Sequence, residues 1–443
     1  LVLLLRNLPA LNTLEPVNIA VTKEVNSKTW SEQTEAVDIK LKANKKDELI
    51  SYLESDPDDS RVFGYSLAVS HDYLAVGDPG ANRVVIYNRQ ADGNWLRSYE
   101  IYPPKRLFGK SRGYGFGYDL ALKDNVLMIH AYDYKNLPDF SSKNKFPEEV
   151  YLVSLDTSQL KSLQKIKLSR AELYFGGMKF LGDQPALLVK TKGLFGKFTT
   201  DILLLDSSGK KIIEDIRITD PDYDNLRKEE VKIDSSNKSL AIILRNRPLE
   251  EKAPLLITNT GKIEEIILDK EDINAPQTPK NYIFSIRSEA IKLSEDLIII
   301  TVSQRWEVYK TMFWKNSDSP SLIDYVDDAS SQVDVRGDLV LLSFSSYQRV
   351  KGKAQNDHIL IQINEDKAIT KSLINWSCVI KDFTFKDVDD DDQYKDAYRG
   401  IPAAIVGLID SDSLILSNHG TVVRVPLKNL SNLIEIKHPK CKE

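Results

Sequence analysis

Phe63 to Tyr87, FGYSLAVSHDYLAVGDPGANRVVIY, constrains this chain more than any other stretch, because its pattern returns downstream. Leu67 and Val69, then Leu74 and Val76, alternate with smaller or polar residues, the period of a strand with two different faces. Gly77-Asp78-Pro79-Gly80 breaks the run, Val84 to Tyr87 forms a third strand, and Trp95 to Tyr102 follows the Asp92-Gly93 turn. The opening motif Phe63-Gly64-Tyr65 returns as Phe116-Gly117-Tyr118 and, in part, as Phe175-Gly176-Gly177.

The strand rhythm continues after the Phe-Gly signature fades. A fourth unit runs from Val231 to Leu268, a fifth from Ala290 to Val326 with Trp306 to Tyr309 as its third strand, and a sixth from Val333 to Ile374. A seventh takes Ala403 to Ile409, Leu414 to Leu416, Val422 to Val425 and, as its outer strand, Leu433 to Ile436. One small sheet cannot bury both of its faces alone, so four-strand units in series predict an all-β fold, a seven-bladed β-propeller. A solenoid is the alternative, with units that are typically shorter or helical. Residues 1–62 form an N-terminal segment before the repeats at 63–443, with strand-like runs at Val17 to Glu24 and Ala36 to Leu41 and a short helix over Lys45 to Leu53. The apolar start LVLLLRNLPALNT reads either as the tail of a leader or as an ordinary buried segment.

Phe63 to Tyr87 resembles the FG-GAP repeat of integrin alpha-subunit propellers. Phe63-Gly64 stands for the FG, and Gly77-Asp78-Pro79 stands for the GAP with Asp in place of Ala. Asn18 to Val21 ahead of Trp30 is similar to the second half of a unit. The resemblance implies ring closure by N-terminal strands against the last blade, an extracellular setting and calcium-binding loops.

Asp387-Val388-Asp389-Asp390-Asp391-Asp392-Gln393-Tyr394-Lys395-Asp396 is the sharpest candidate for such a loop, since alternate carboxylates of a tight loop converge oxygens on calcium. Asp387, Asp389, Asp391 and Asp396 are its candidate ligands. Asp392 stands where a turn Gly is usual and Asp396 comes one residue late, so a solvated acidic loop is the competing reading. Asp220-Pro221-Asp222-Tyr223-Asp224 with Glu229 is a fainter echo that reads as a turn.

Two cysteines, Cys378 and Cys441, exclude a disulfide-built scaffold but permit one bridge that pins the tail to the last repeats. Sequons at Asn237, Asn375 and Asn429 permit N-glycosylation on a secretory route.

With 60 Lys plus Arg against 65 Asp plus Glu interspersed, the chain lacks the basic footprint of a nucleic-acid binder. No apolar run approaches the roughly 18 residues of a membrane span. The five histidines lie singly, and Gly109-Lys110-Ser111 lacks the leading Gly of a phosphate loop, because that position is Pro104. Gly113, Gly115 and Gly117 read as a place where neighbouring blades approach closely. The expected function is therefore non-catalytic: a secreted or cell-surface propeller that binds a protein partner or its own copies. The alternatives are a propeller hydrolase or lyase with a site at the central channel, and an intracellular assembly scaffold.

Overall fold

The computed structural model describes two short N-terminal strands, Pro16–Val17 and Ser51–Tyr52, and seven groups of strands between Leu67 and Lys437 with many of their turns. The longer connections lie outside the described residues, as do the ends of the chain. Among the described residues there is no α-helix, and hence none long and apolar enough to cross a membrane.

Seven sheets form, each built on an antiparallel meander of three or four consecutive strands, and three of them also take in a strand from elsewhere in the chain. Blade one comprises Leu67–Val69, Tyr73–Asp78, Arg83–Arg89 and Trp95–Ile101. Blades two to six begin at Phe116, Ala171, Val231, Arg287 and Gln332, and blade seven at Val406. The first strand of each blade touches the first strand of the next, and Val406–Ile409 touches Leu67–Val69, so the ring is closed. The chain is a seven-bladed β-propeller.

The core lies between blades rather than within them. A blade is apolar on both faces, and each face finds its partner on the adjacent blade. Tyr151, Leu127 and Phe116 of blade two meet Ile86 and Val84 of blade one, while Ile415 and Val422 of blade seven meet Leu74, Val76 and Trp95 on the opposite face of blade one.

The Phe-Gly and Gly-Asp-Pro motifs are two halves of one seam. Gly64 takes φ +78°, a backbone region that only glycine enters without strain. Its N–H and that of Tyr65 donate to the Gly77 carbonyl at 2.9 and 3.2 Å. Ser417 of blade seven donates to the Gly64 carbonyl, and Ser66 donates to the Gly117 carbonyl of blade two at 2.7 Å. A Cβ on Gly77 would stand 2.2 Å from that carbonyl oxygen, so the two glycines let blades one and two meet backbone to backbone. Asp78, the departure from the GAP pattern, is fully buried and held by Arg83 at 3.2 Å. Arg83 and Arg97 share Glu100 at 3.1 and 2.7 Å, so these buried charges are paired inside blade one. Burial alone would raise the Glu100 carboxyl, but hydrogen bonds from Tyr102 and Arg97 and the Arg83 charge hold it below the ordinary value. In the third repeat the motif serves differently: Gly176 faces open space inside a β-bulge between Leu173 and Met178.

An N-terminal strand does complete the last blade, as the resemblance implies, but two details depart from the sequence reading. Ser51 and Tyr52, within the stretch expected to be helical, form a strand opposite Arg424 and Val423 and supply the outer strand of blade seven. Leu433 to Ile436, expected in that position, does not take it: Ile434–Lys437 instead lies parallel to Lys367–Asn375 as a fifth strand of blade six. The N-terminal segment holds the edge that a hairpin would otherwise reach first, and the tail pairs with the next open edge. Pro16–Val17 adds likewise to the outer edge of blade two. In blade five the third strand is Val308–Lys315, further along than Trp306 to Tyr309, which brings Trp314 into the core with no exposure.

Side chains lock the same seam. Arg89 of blade one reaches Asp410 of blade seven and Asp412 at 3.6 Å, and its guanidinium lies 4.3 Å above the ring of Trp95. Arg424 donates to Asp412 at 2.9 Å and to Asn94 at 3.4 Å.

Gly77→Ala is expected to cost about 1–3 kcal/mol, the range for forcing extra volume into a packed interior. Denaturant unfolding measures this, and an unchanged midpoint would remove the seam from the account.

Candidate functional site: the inner ring and its elaborated mouth

The first strands carry a charged residue shortly before their tight turn: Lys179 in blade three, Asp234 in blade four, Lys292 in blade five and Asp334 in blade six. Alternate signs on successive blades make a girdle. Lys179 stands 3.2 Å from Asp234, and Lys292 lies 3.6 Å from Asp234 and 3.2 Å from Asp334. The second oxygen of each carboxylate accepts a backbone N–H from the next blade, Leu293 to Asp234 at 2.9 Å and Ile409 to Asp334 at 2.7 Å. Burial opposes the Lys292 charge, but the two carboxylates outweigh it and hold the ammonium above the ordinary lysine value. These groups bind blades to one another, and their chemistry is spent on that.

Asp119 in blade two is placed differently. It stands opposite His130 in the register, and its carboxylate accepts the N–H of its own neighbour Leu120 at 2.9 Å. Burial raises its pKa, and the nearby charges of Lys179, His130 and Lys232 offset this only in part. Around it lies an aromatic group: Tyr118 is 5.0 Å from Tyr65 of blade one and 5.1 Å from Tyr132, with the buried His130 ring edge-on at 5.9 Å. Burial and then the Asp119 charge push the Tyr65 hydroxyl up, against a hydrogen bond with Tyr118.

Meander topology gives the ring two unlike faces. The turns from first to second strand and from third to fourth leave on one face, and all other connections leave on the other. On the first face the chain turns tightly, as from Lys123 to Val126, Leu181 to Gln184 and Arg336 to Leu339. On the second it makes its long excursions: Ala131 to Glu149, Glu265 to Arg287, Ser343 to His358 and Asn375 to Val406. The polar stretches Tyr134 to Glu149, Lys270 to Asn281 and Tyr347 to Asp357 all fall in these excursions. Tyr65, Tyr118 and Tyr132 flank strand ends on that same face.

Of the residues the sequence reading singled out as candidate sites, Asn237 lies exposed in a tight turn of blade four, where its side-chain oxygen accepts from Lys123 at 3.0 Å. Asn375 ends the fourth strand of blade six. Asp387, Asp389, Asp391, Asp396, Cys378, Cys441 and Asn429 lie outside the described residues. Among the described residues no group of three or more His, Cys, Asp or Glu is placed to hold a metal ion. His71 is exposed beside Asp72, as a turn histidine should be, while His358 is buried and shares a hydrogen bond with Ser343 at 3.0 Å. Sequence reasoning missed the girdle and Asp119. The signal that could have found them is a charged residue recurring shortly before the first turn of successive units, as in GGMKFLGD, VKIDSS and AIKLSED.

No protein-family model matches the chain, and no curated protein matches it. Solved structures resemble it in fold. A chain of the Mitotic Checkpoint Complex aligns over 88% of this chain and 98% of its own at 11% identity and a TM-score of 0.45. The WD40 domain of Toxoplasma gondii coronin aligns over 94% and 90% at 11% identity and a TM-score of 0.40. Apo AztD from Citrobacter koseri aligns over 80% and 79% at 11% identity and a TM-score of 0.38. Likeness at this level concerns fold and carries nothing about binding.

Lys292→Ala takes its lysine from Asp334 and leaves Asp234 to Lys179 alone, and should cost roughly 3 kcal/mol, the low end for breaking a buried pair, because the side chain keeps 21% exposure. Equilibrium unfolding reads this. Asp119→Asn should act oppositely at neutral pH. A carboxyl whose pKa rises on folding supports the fold below its unfolded pKa and loses that support as pH climbs through its folded value. The variant should therefore melt higher than the parent at pH 7, with the difference vanishing in acid below the ordinary aspartate range. A lower melting point at pH 7 would show that the Asp119 charge is instead well paired.

Proposed function

We propose that this propeller is a non-catalytic binding module that engages a protein partner or further copies of itself through the face carrying the long connections. One observation carries the reading: the long excursions leave the ring together, while the opposite face is made chiefly of short turns. Loops tolerate length where they serve contact, and a rigid ring holds them in place. The inner-ring charges add support, since Lys179, Asp234, Lys292 and Asp334 are engaged in holding blades together.

The finer reading is an FG-GAP-like propeller, secreted or at the cell surface, with calcium in the loop from Asp387 to Asp396. The Phe63-Gly64 and Gly77-Asp78-Pro79 seam supports the first part. Donor chemistry supports the last, because Asp387, Asp389, Asp391 and Asp396 supply the hard oxygens that calcium takes. A Cys378–Cys441 bond belongs to the same reading. Ile434–Lys437 runs parallel to Lys367–Asn375 with Lys437 opposite Asn375, and the cysteines follow those two residues by three and four positions. Glycans at Asn237, Asn375 and Asn429 complete it.

Chemical cross-linking of natively purified complexes tests the binding face. Partner cross-links are expected on Lys143, Lys145, Lys270, Lys280, Lys351 and Lys353, which lie in the long connections, and not on Lys123 or Lys238 beside the tight turns. The converse pattern, or turnover of a substrate in the channel, would overturn the proposal. Calcium is tested separately: addition should raise the melting temperature, and Asp389→Asn with Asp391→Asn should abolish the shift. A shift that persists in the double variant places calcium elsewhere.

A further inference from the structure

The outer position of blade seven has two claimants within the chain. Ser51–Tyr52 holds it through a two-residue pairing, Ser51 opposite Arg424 and Tyr52 opposite Val423. Ile434–Lys437 follows the third strand of that blade in sequence, as the outer strand follows the third strand in every other blade. The connection does not forbid a hairpin. Pro426 to Ile434 falls between the shortest and longest such connections in this ring, Asn364 to Lys367 and Leu204 to Ile216. Nor does composition forbid it, because Ile434-Glu435-Ile436-Lys437 alternates as a strand with one apolar face should. Closing a short loop also costs less chain entropy than pairing across nearly the whole length of the chain.

The tail instead sits on blade six, with Ser372 opposite Ile434 and Asn375 opposite Lys437. That pairing is parallel and extends a blade that already has its four strands. The same short segment therefore has two seats of the same kind, an outer strand edge on each of two adjacent blades.

We propose that Ile434–Lys437 is an exchangeable strand and that occupancy of blade seven by Ser51–Tyr52 decides its seat. With Ser51–Tyr52 docked, the tail lies on blade six. When Ser51–Tyr52 leaves, the tail folds back as the outer strand of blade seven, which stays closed, while the edge Lys367–Asn375 is bared. The exchange releases the N-terminal segment and exposes a row of unpaired backbone donors and acceptors, a surface suited to strand addition. It requires reduced thiols, since a Cys378–Cys441 bond keeps the tail on blade six.

Hydrogen exchange on the reduced full-length chain tests this, because the two edges report separately. In Tyr52→Pro, which fixes φ and disfavours pairing in so short a strand, the amides of Thr421–Val425 should keep their protection and those of Lys367–Asn375 should lose it. Loss at Thr421–Val425 with Lys367–Asn375 unchanged would overturn the proposal. Tyr52→Gly, which keeps the backbone N–H and weakens the strand, covers the case in which the proline variant does not fold, and it must likewise spare Thr421–Val425 while lowering protection at Lys367–Asn375. A locked control settles the cause. Leu373→Cys with Glu435→Cys, register partners on blade six, joined by oxidation in a Cys378→Ser, Cys441→Ser background, must make Tyr52→Pro expose Thr421–Val425. Continued protection there would show that the tail is not what covers blade seven.

Discussion

Everything in this molecule depends on the fact that a four-stranded blade has two apolar faces and only its neighbours to cover them. The clusters that unite Ile86 with Phe116 and Tyr151, or Trp95 with Ile415 and Val422, are interfaces between blades. At about 25 cal/mol per Å² of apolar surface, such burial dominates the favourable terms, but it is non-directional and fixes neither register nor closure. Polar and glycine contacts supply that. Gly77 meets the carbonyl of Gly117, Ser66 ties blade one to blade two and Ser417 ties blade seven to blade one, and Arg89 and Arg424 clasp Asp410 and Asp412 where the ring meets itself.

The girdle extends the same logic inward. Asp234 and Asp334 each take a lysine with one oxygen and a backbone N–H of the following blade with the other, so each fixes a neighbour by charge and by direction. Asp119 breaks the pattern. It sits beside three tyrosines at the mouth with the long connections, where burial works against its charge.

The seven-fold strand rhythm was legible because alternation survives where motifs do not. Phe63-Gly64 and Phe116-Gly117 stand out because Gly64 and Gly117 take φ +78° and +86° and lie too close to the neighbouring blade for any side chain. Phe175-Gly176 misleads, because the same letters serve a bulge when Gly176 faces open space. The girdle was hard to see, since one charged residue per strand looks like ordinary surface until the strands are set side by side. The seat of Leu433 to Ile436 escapes sequence reading for a physical reason: sequence adjacency favours a hairpin, whereas Ser51–Tyr52, far away in the chain, holds that edge in the structure. Lys45 to Leu53 has helical spacing, yet Ser51 and Tyr52 pair with an open strand edge, as tertiary context overrides local preference.

Native-state hydrogen exchange across the ring tests most directly whether this chain is one closed ring. A closed ring opens the seam strands, Leu67–Val69 and Val406–Ile409, with the same free energy as Val231–Ser235 in blade four, because no blade can leave without uncovering two others. Exchange at the seam through a separate opening of much lower free energy would contradict closure, and with it the account of how the blades hold one another.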